Sequence, residues 1–139
     1  MISLCFVLLG LASAADRLSI SSDTINLRSG PGTNYDIMAT IEGAKYYPLK
    51  VIGKEGQWYK VSDVEGYQGW IFSELVSETK TVITISDTCN IRKGPGTEHP
   101  ITMIAEKGAS FMVLDTQKDW YHIQDSEGDK GWIYKSLVW

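Results

Sequence analysis

The sequence predicts an all-β chain made of two small tandem units. Three observations carry that prediction. One passage is written twice: Asn26-Leu27-Arg28-Ser29-Gly30-Pro31-Gly32-Thr33 returns as Asn90-Ile91-Arg92-Lys93-Gly94-Pro95-Gly96-Thr97, Trp58-Tyr59 returns as Trp120-Tyr121, and Gly69-Trp70-Ile71-Phe72 returns as Gly131-Trp132-Ile133-Tyr134. Internal repetition of this kind decides architecture before any other signal. The apolar runs are short, rich in β-branched residues, and broken by Gly and Asp, which is the pattern of strands and turns. Beyond the first residues no segment carries a long apolar stripe of helical period.

The elements follow in chain order. Ile2 to Ala15 is apolar or small, Asp16 is the first charge, and Ala12-Ser13-Ala14 fits a small-x-small cleavage site. The run is shorter than the roughly 20 residues a membrane-spanning helix needs. Residues 1–15 are therefore expected to be a signal peptide, leaving an exported chain, periplasmic or extracellular, that does not span the membrane after cleavage. Cys5 comes too early to be a lipidation site. The two units are expected over 16–78 and 79–139.

In the first unit, Gly30-Pro31-Gly32 predicts a type II turn opening a long loop, with Pro pre-setting φ and Gly supplying positive φ. Tyr46-Tyr47-Pro48 is set against the less bulky Ser110-Phe111-Met112, so the two copies are expected to differ in ligand competence. Trp58 to Val61 reads as a strand with Tyr59 and Val61 on the inner face and Trp58 and Lys60 on the other. Ile71 should point inward, with Trp70 and Phe72 opposite. The linker, near Ser77–Lys80, contains neither Pro nor Gly, and the units are expected to pack on each other.

The second unit repeats the scheme. Val82-Ile83-Thr84-Ile85 reads as a strand. Cys89 occupies the place of Ile25 and is expected to be a small buried hydrophobe. Ile123 and Ile133 should point inward, leaving Trp120, Trp132 and Tyr134 on the other face. Asp125, Glu127 and Asp129 look like a solvated hairpin tip. Trp139 aligns with Ser77. Asn26 and Asn90 are 64 residues apart, whereas Trp58 and Trp120 are 62 apart, so a length change lies between Thr33 and Gln57 or Thr97 and Asp119.

The ordered motifs Asn-Leu-Arg-Ser-Gly-Pro-Gly-Thr, Gln-Trp-Tyr-Lys-Val and Gly-Trp-Ile-Phe-Ser-Glu-Leu, with their second copies, resemble the bacterial SH3 (SH3b) family over residues 17 to 138. The resemblance implies two tandem small SH3-like β-barrels. It implies a setting among cell-wall hydrolases and exported envelope proteins, and a ligand in peptidoglycan, through its peptide bridge or stem. More faintly, the chain is similar to eukaryotic SH3 domains. By that likeness Trp58 and Trp120 take the Trp place of the ligand strip, Phe72 and Tyr134 the Pro place, and Leu75 and Leu137 the Tyr place. The missing Tyr removes an aromatic wall from the groove that receives polyproline ligands.

Composition narrows the function further. The net charge is −4 and there is no basic tract, which argues against nucleic acid and against polybasic membrane attachment. The two histidines, His99 and His122, have no histidine counterparts in the other copy. Metal-ligand spacings are absent, and the Asp125 cluster lacks the full pattern of a calcium loop. No catalytic residue, metal ligand or cofactor is expected. The candidate ligand-binding residues are Trp58, Phe72, Trp120 and Tyr134, with Arg28 and Arg92, whose guanidinium groups suit either a ligand carboxylate or their own loop carbonyls. The expected function is a non-catalytic exported binding protein contacting peptidoglycan. A periplasmic adaptor for an envelope protein and, third, a small wall hydrolase are the alternatives.

Overall fold

The computed structural model describes residues 16–139. The expected signal peptide lies outside the described residues. The first sheet is built from β1 (Arg17–Ile20), β2 (Thr24–Arg28), β3 (Ile37–Glu42), β4 (Pro48–Glu55), β5 (Trp58–Ser62), β6 (Gln68–Phe72) and β7 (Val76–Ser77). The second is built from β8 (Thr81–Ile83), β9 (Thr88–Arg92), β10 (Ile101–Glu106), β11 (Ser110–Gln117), β12 (Trp120–Gln124) and β13 (Lys130–Tyr134). One-turn 3-10 helices cover Ser73–Leu75 and Lys135–Leu137. No helix among the described residues is long and apolar enough to cross a membrane.

The strand orders are β3-β2-β6-β5-β4-β1-β7 and β10-β9-β13-β12-β11-β8. Apart from the two-residue β7, the orders are the same, so the written repeat is a structural repeat. Alternation does the sorting, because successive side chains leave a strand on opposite faces. On β5 only Val61 is fully buried, with its neighbours half-buried. Val61 joins Ile20, Ile25, Leu27, Ala44, Leu49 and Ile71 in one core, and Tyr59 packs against it. The second core gathers Val82, Cys89, Ile91, Ala105, Phe111, Ile123 and Ile133. Cys89 pairs with Ala105 as Ile25 pairs with Ile41, so the thiol fills the position the repeat assigns it. Each fully buried aliphatic side chain stabilises its unit by about 1.5–3 kcal/mol relative to exposure.

Two expectations need correction. The sheets are not closed into barrels: among the described residues, β3 and β7 end the first order without pairing with each other, as do β10 and β8 in the second. Packing shuts the gap instead, since Ile41 of β3 and Val76 of β7 lie against the same core. The second concerns Tyr46-Tyr47-Pro48. β3 and β10 begin 64 residues apart, at Ile37 and Ile101, whereas β4 and β11 begin 62 apart, at Pro48 and Ser110. The two extra residues therefore lie in the loop before β4, and Leu49, not Pro48, matches Phe111. Tyr46, at φ 72°, stands where the second unit has Gly108 at φ 92°. The main-chain bonds confirm the equivalence: the Tyr46 N–H donates to Ile20 O and the Gly108 N–H donates to Thr84 O.

The units meet, as expected from a linker without Pro or Gly. The Ser110 hydroxyl donates to Lys45 O across 3.1 Å. The Arg17 guanidinium lies 4.1 Å from the centroid of the Trp139 ring, which settles Trp139 as a residue packed on the neighbouring unit.

Candidate functional site

Each unit carries one groove, built from the end of its second strand, the loop that follows, and the aromatic pair on its last two long strands. The loop begins with Gly-Pro-Gly, which is not the expected type II turn. Neither Gly32 nor Gly96 has positive φ. Instead the Gly32 N–H donates to Gly30 O at 2.9 Å, and the Gly96 N–H to Gly94 O at 3.0 Å. That is an i to i+2 bond, a γ-turn centred on the proline, whose fixed φ suits it. The first glycine is demanded by close approach. The ring of Tyr35 packs on Gly30 and the ring of His99 on Gly94, where a Cβ would collide.

Arginine then ties the loop down. Arg28 Nη1 donates to Thr33 O at 3.2 Å and Tyr35 O at 3.0 Å. Arg92 Nη1 repeats the pair, to Thr97 O at 3.1 Å and His99 O at 2.9 Å. Of the two roles open to these guanidinium groups, the bond to the loop is the one made. Both arginines still line their grooves.

The aromatic walls come from register. Trp58 lies directly across from Phe72, and Trp120 from Tyr134. Their ring centroids are 5.5 Å and 5.4 Å apart, tilted at 56° and 68°, within the range of favourable edge-to-face contacts. Each indole is half-buried, propped by its partner on one side and open to a groove on the other. The first groove, about 570 Å³, is lined by Trp58, Phe72, Ile25, Leu75, Arg28 and Asn34 among others. The second, about 620 Å³, has Trp120, Tyr134, Leu137, Arg92 and Glu98 in its lining. All six candidate ligand-binding residues thus fall in two equivalent grooves, three in each. Leu75 and Leu137 also stand where the likeness placed them. Trp70 and Trp132 do not join: Trp132 is buried and its ring stacks on His122 at 4.6 Å and 8°.

Several lining residues escaped the sequence reading. Thr24 and Asn26, with Thr88 and Asn90 in the second unit, line the groove walls. Asn26 Oδ1 is held by the Thr40 hydroxyl at 2.8 Å. The signal was available, since these residues recur in both copies, but repetition alone does not say which face they occupy. The grooves differ in one charge. Asn34 lines the first, whereas Glu98 lines the second, and Glu98 Oε2 lies 3.5 Å from His99 Nε2.

The other candidate chemistry sits elsewhere. The Cys89 thiol is buried and donates to Ser86 O at 3.6 Å; burial pushes its pKa up, the bond to the Ser86 backbone acting weakly against it. Asp125, Glu127 and Asp129 bring one carboxylate oxygen each within 4.8 Å of one another. Asp125 Oδ1 accepts the Glu127 and Asp129 N–H groups at 2.9 Å each. Asp63 does the same for Glu65 and Tyr67, so the hairpin forms without the third acid.

Two family profiles, each described as a bacterial SH3 domain, match residues 23–77 and 86–139. Among curated proteins, the chain is 26% identical over 92% of its length to YrvJ of Bacillus subtilis (strain 168), a protein named as an N-acetylmuramoyl-L-alanine amidase. It is 34% identical over 45% of its length to LytH of Staphylococcus epidermidis, named as a cell wall amidase. The chain spans 26% of the first relative and 22% of the second. Among solved structures, an NlpC/P60 family protein from Bacillus cereus aligns over 88% of this chain and 55% of its own, at 15% identity and a TM-score of 0.40.

Proposed function

Because the chain belongs to the bacterial SH3 family, with two such domains in tandem over residues 23–77 and 86–139, we propose that it is a non-catalytic, exported binding protein that grips peptidoglycan through its two grooves. The observation that carries this reading is the repetition of one aromatic-walled groove, Trp58 with Phe72 and Trp120 with Tyr134. Exposed indole faces beside a polar rim suit sugar rings and peptide. Relatives named as wall amidases support a cell-wall setting, and an envelope or extracellular location goes with it. Two linked sites on a repeating polymer gain affinity through effective concentration.

The test is co-sedimentation with purified sacculi stripped of protein. The chain should pellet above a tag-only control, and the Trp58→Ala, Trp120→Ala double variant should stay in solution. Dye-labelled sacculi should release nothing on incubation with the chain. An unaltered pellet with the double variant would overturn the assignment of the grooves.

A further inference from the structure

The seam between the units holds a site of a different kind. A cavity of about 380 Å³ is lined there by Arg17, Lys80, Lys135, Tyr121, Trp139 and Glu78, among others. It shares no residue with either groove. Each cation rests on an aromatic face. Arg17 lies 4.1 Å from the Trp139 centroid, and the Lys80 and Lys135 ammonium groups lie 4.9 Å and 5.2 Å from the Tyr121 centroid. An aromatic face engages a cation from one side and leaves its remaining N–H groups free to donate.

These charges lack an anionic partner. Among the described residues none of the three cations forms an ion pair, and they outnumber the one acidic side chain in the lining, Glu78. Arg17 and Lys80 are exposed and Lys135 is half-buried, and like charges gathered this way repel one another unless a counter-charge joins them. Shielding from water lowers the Arg17 pKa, with Tyr121 acting in the opposite direction, and the guanidinium nevertheless stays charged. Arginine beside lysines on aromatic supports is a donor set for the planar or tetrahedral oxygens of an anion.

We propose that the seam cavity binds an oxyanion, the carboxylate or phosphate of a small ligand or of a polymer end, through Arg17, Lys80 and Lys135. The proposal does not rest on what the grooves bind. It is tested on the full chain by NMR, following the Trp139 indole N–H at constant ionic strength. The probes are N-acetylalanine, for a carboxylate, and inorganic phosphate and glycerol 3-phosphate, for a phosphate. A saturable shift with a Kd on the order of 1 mM is expected from at least one class, and the class that saturates identifies the source. Lys135→Gln and Arg17→Gln should each weaken it about fivefold to tenfold, while Trp58→Ala and Trp120→Ala leave it unchanged. Should Arg17→Gln loosen β1, Lys135→Gln still reads the site with the Arg17–Trp139 contact in place. No saturable shift with any probe, or equal affinity in the lysine variant, would overturn the proposal.

Discussion

A methyl group at Gly94 would collide with the ring of His99, and one at Gly30 with the ring of Tyr35. Gly94→Ala should therefore destabilise the second unit by about 1–3 kcal/mol, the usual cost of overpacking, read as a lower urea midpoint. Lys118 poses the opposite case. It holds φ at 51°, where the first unit has Gly56 at φ 58°. Lys118→Gly should raise stability by up to about 1 kcal/mol, since a side chain in left-handed backbone is penalised. Tyr47 supplies a pH dependence. Its phenol pKa is raised, first by burial and then by Asp63 and Glu65. The folded chain therefore holds a proton that the unfolded chain gives up more readily, and stability drops as pH climbs through the phenol range near 10. Tyr47→Phe should flatten that alkaline loss in chemical denaturation series at stepped pH. At this scale the sequence spoke plainly about Cys89, which the repeat equates with Ile25. It misled about Gly-Pro-Gly, because the residue that requires glycine is a ring five positions further on, and local turn rules do not see it.

The elements bear out the same division. β5 and β6 were legible because alternation and repetition agree on Val61 and Ile71 as inner residues, and that places Trp58 and Phe72 together on the outer face. The loop after β2 was legible only as a loop. Arg28 and Arg92 fitted two roles equally well until the Thr33, Tyr35, Thr97 and His99 carbonyls were seen to converge on them. Arg92→Gln should release its loop by about 1 kcal/mol. The amide of Lys93, bonded to Pro100 O, should then exchange roughly fivefold faster by that same figure, while core amides on β12 keep their protection. Unchanged exchange at Lys93 would show that the γ-turn and ring packing hold the loop unaided.

For the whole molecule, the repeat made the tandem architecture evident and the linker led the units to be expected to pack, yet nothing foretold the charged lining of their seam. Arg17, Lys80, Tyr121, Lys135 and Trp139 are scattered along the chain, and only the relative placement of the two units gathers them. Function at this scale turns on whether the grooves act together. If they do, Trp58→Ala or Trp120→Ala alone should lower apparent affinity for sacculi about 100-fold or more, the typical gain from linked binding. A mere halving of capacity with unaltered affinity would mean that each groove acts separately.

The seam cavity also has an arithmetic of its own. Its key residues are not duplicated: Arg17, Lys135 and Trp139 have Thr81, Ser73 and Ser77 as their counterparts in the other copy. Features within a unit come in pairs, but two units share one seam, and the residues that line it come from unlike positions of the two copies. Among the described residues the two grooves are equivalent while the charged recess has no twin, so if both proposals hold, groove ligand and anion should bind in a ratio of two to one, and the departure of the halves from one another is what equips the shared face with its charges.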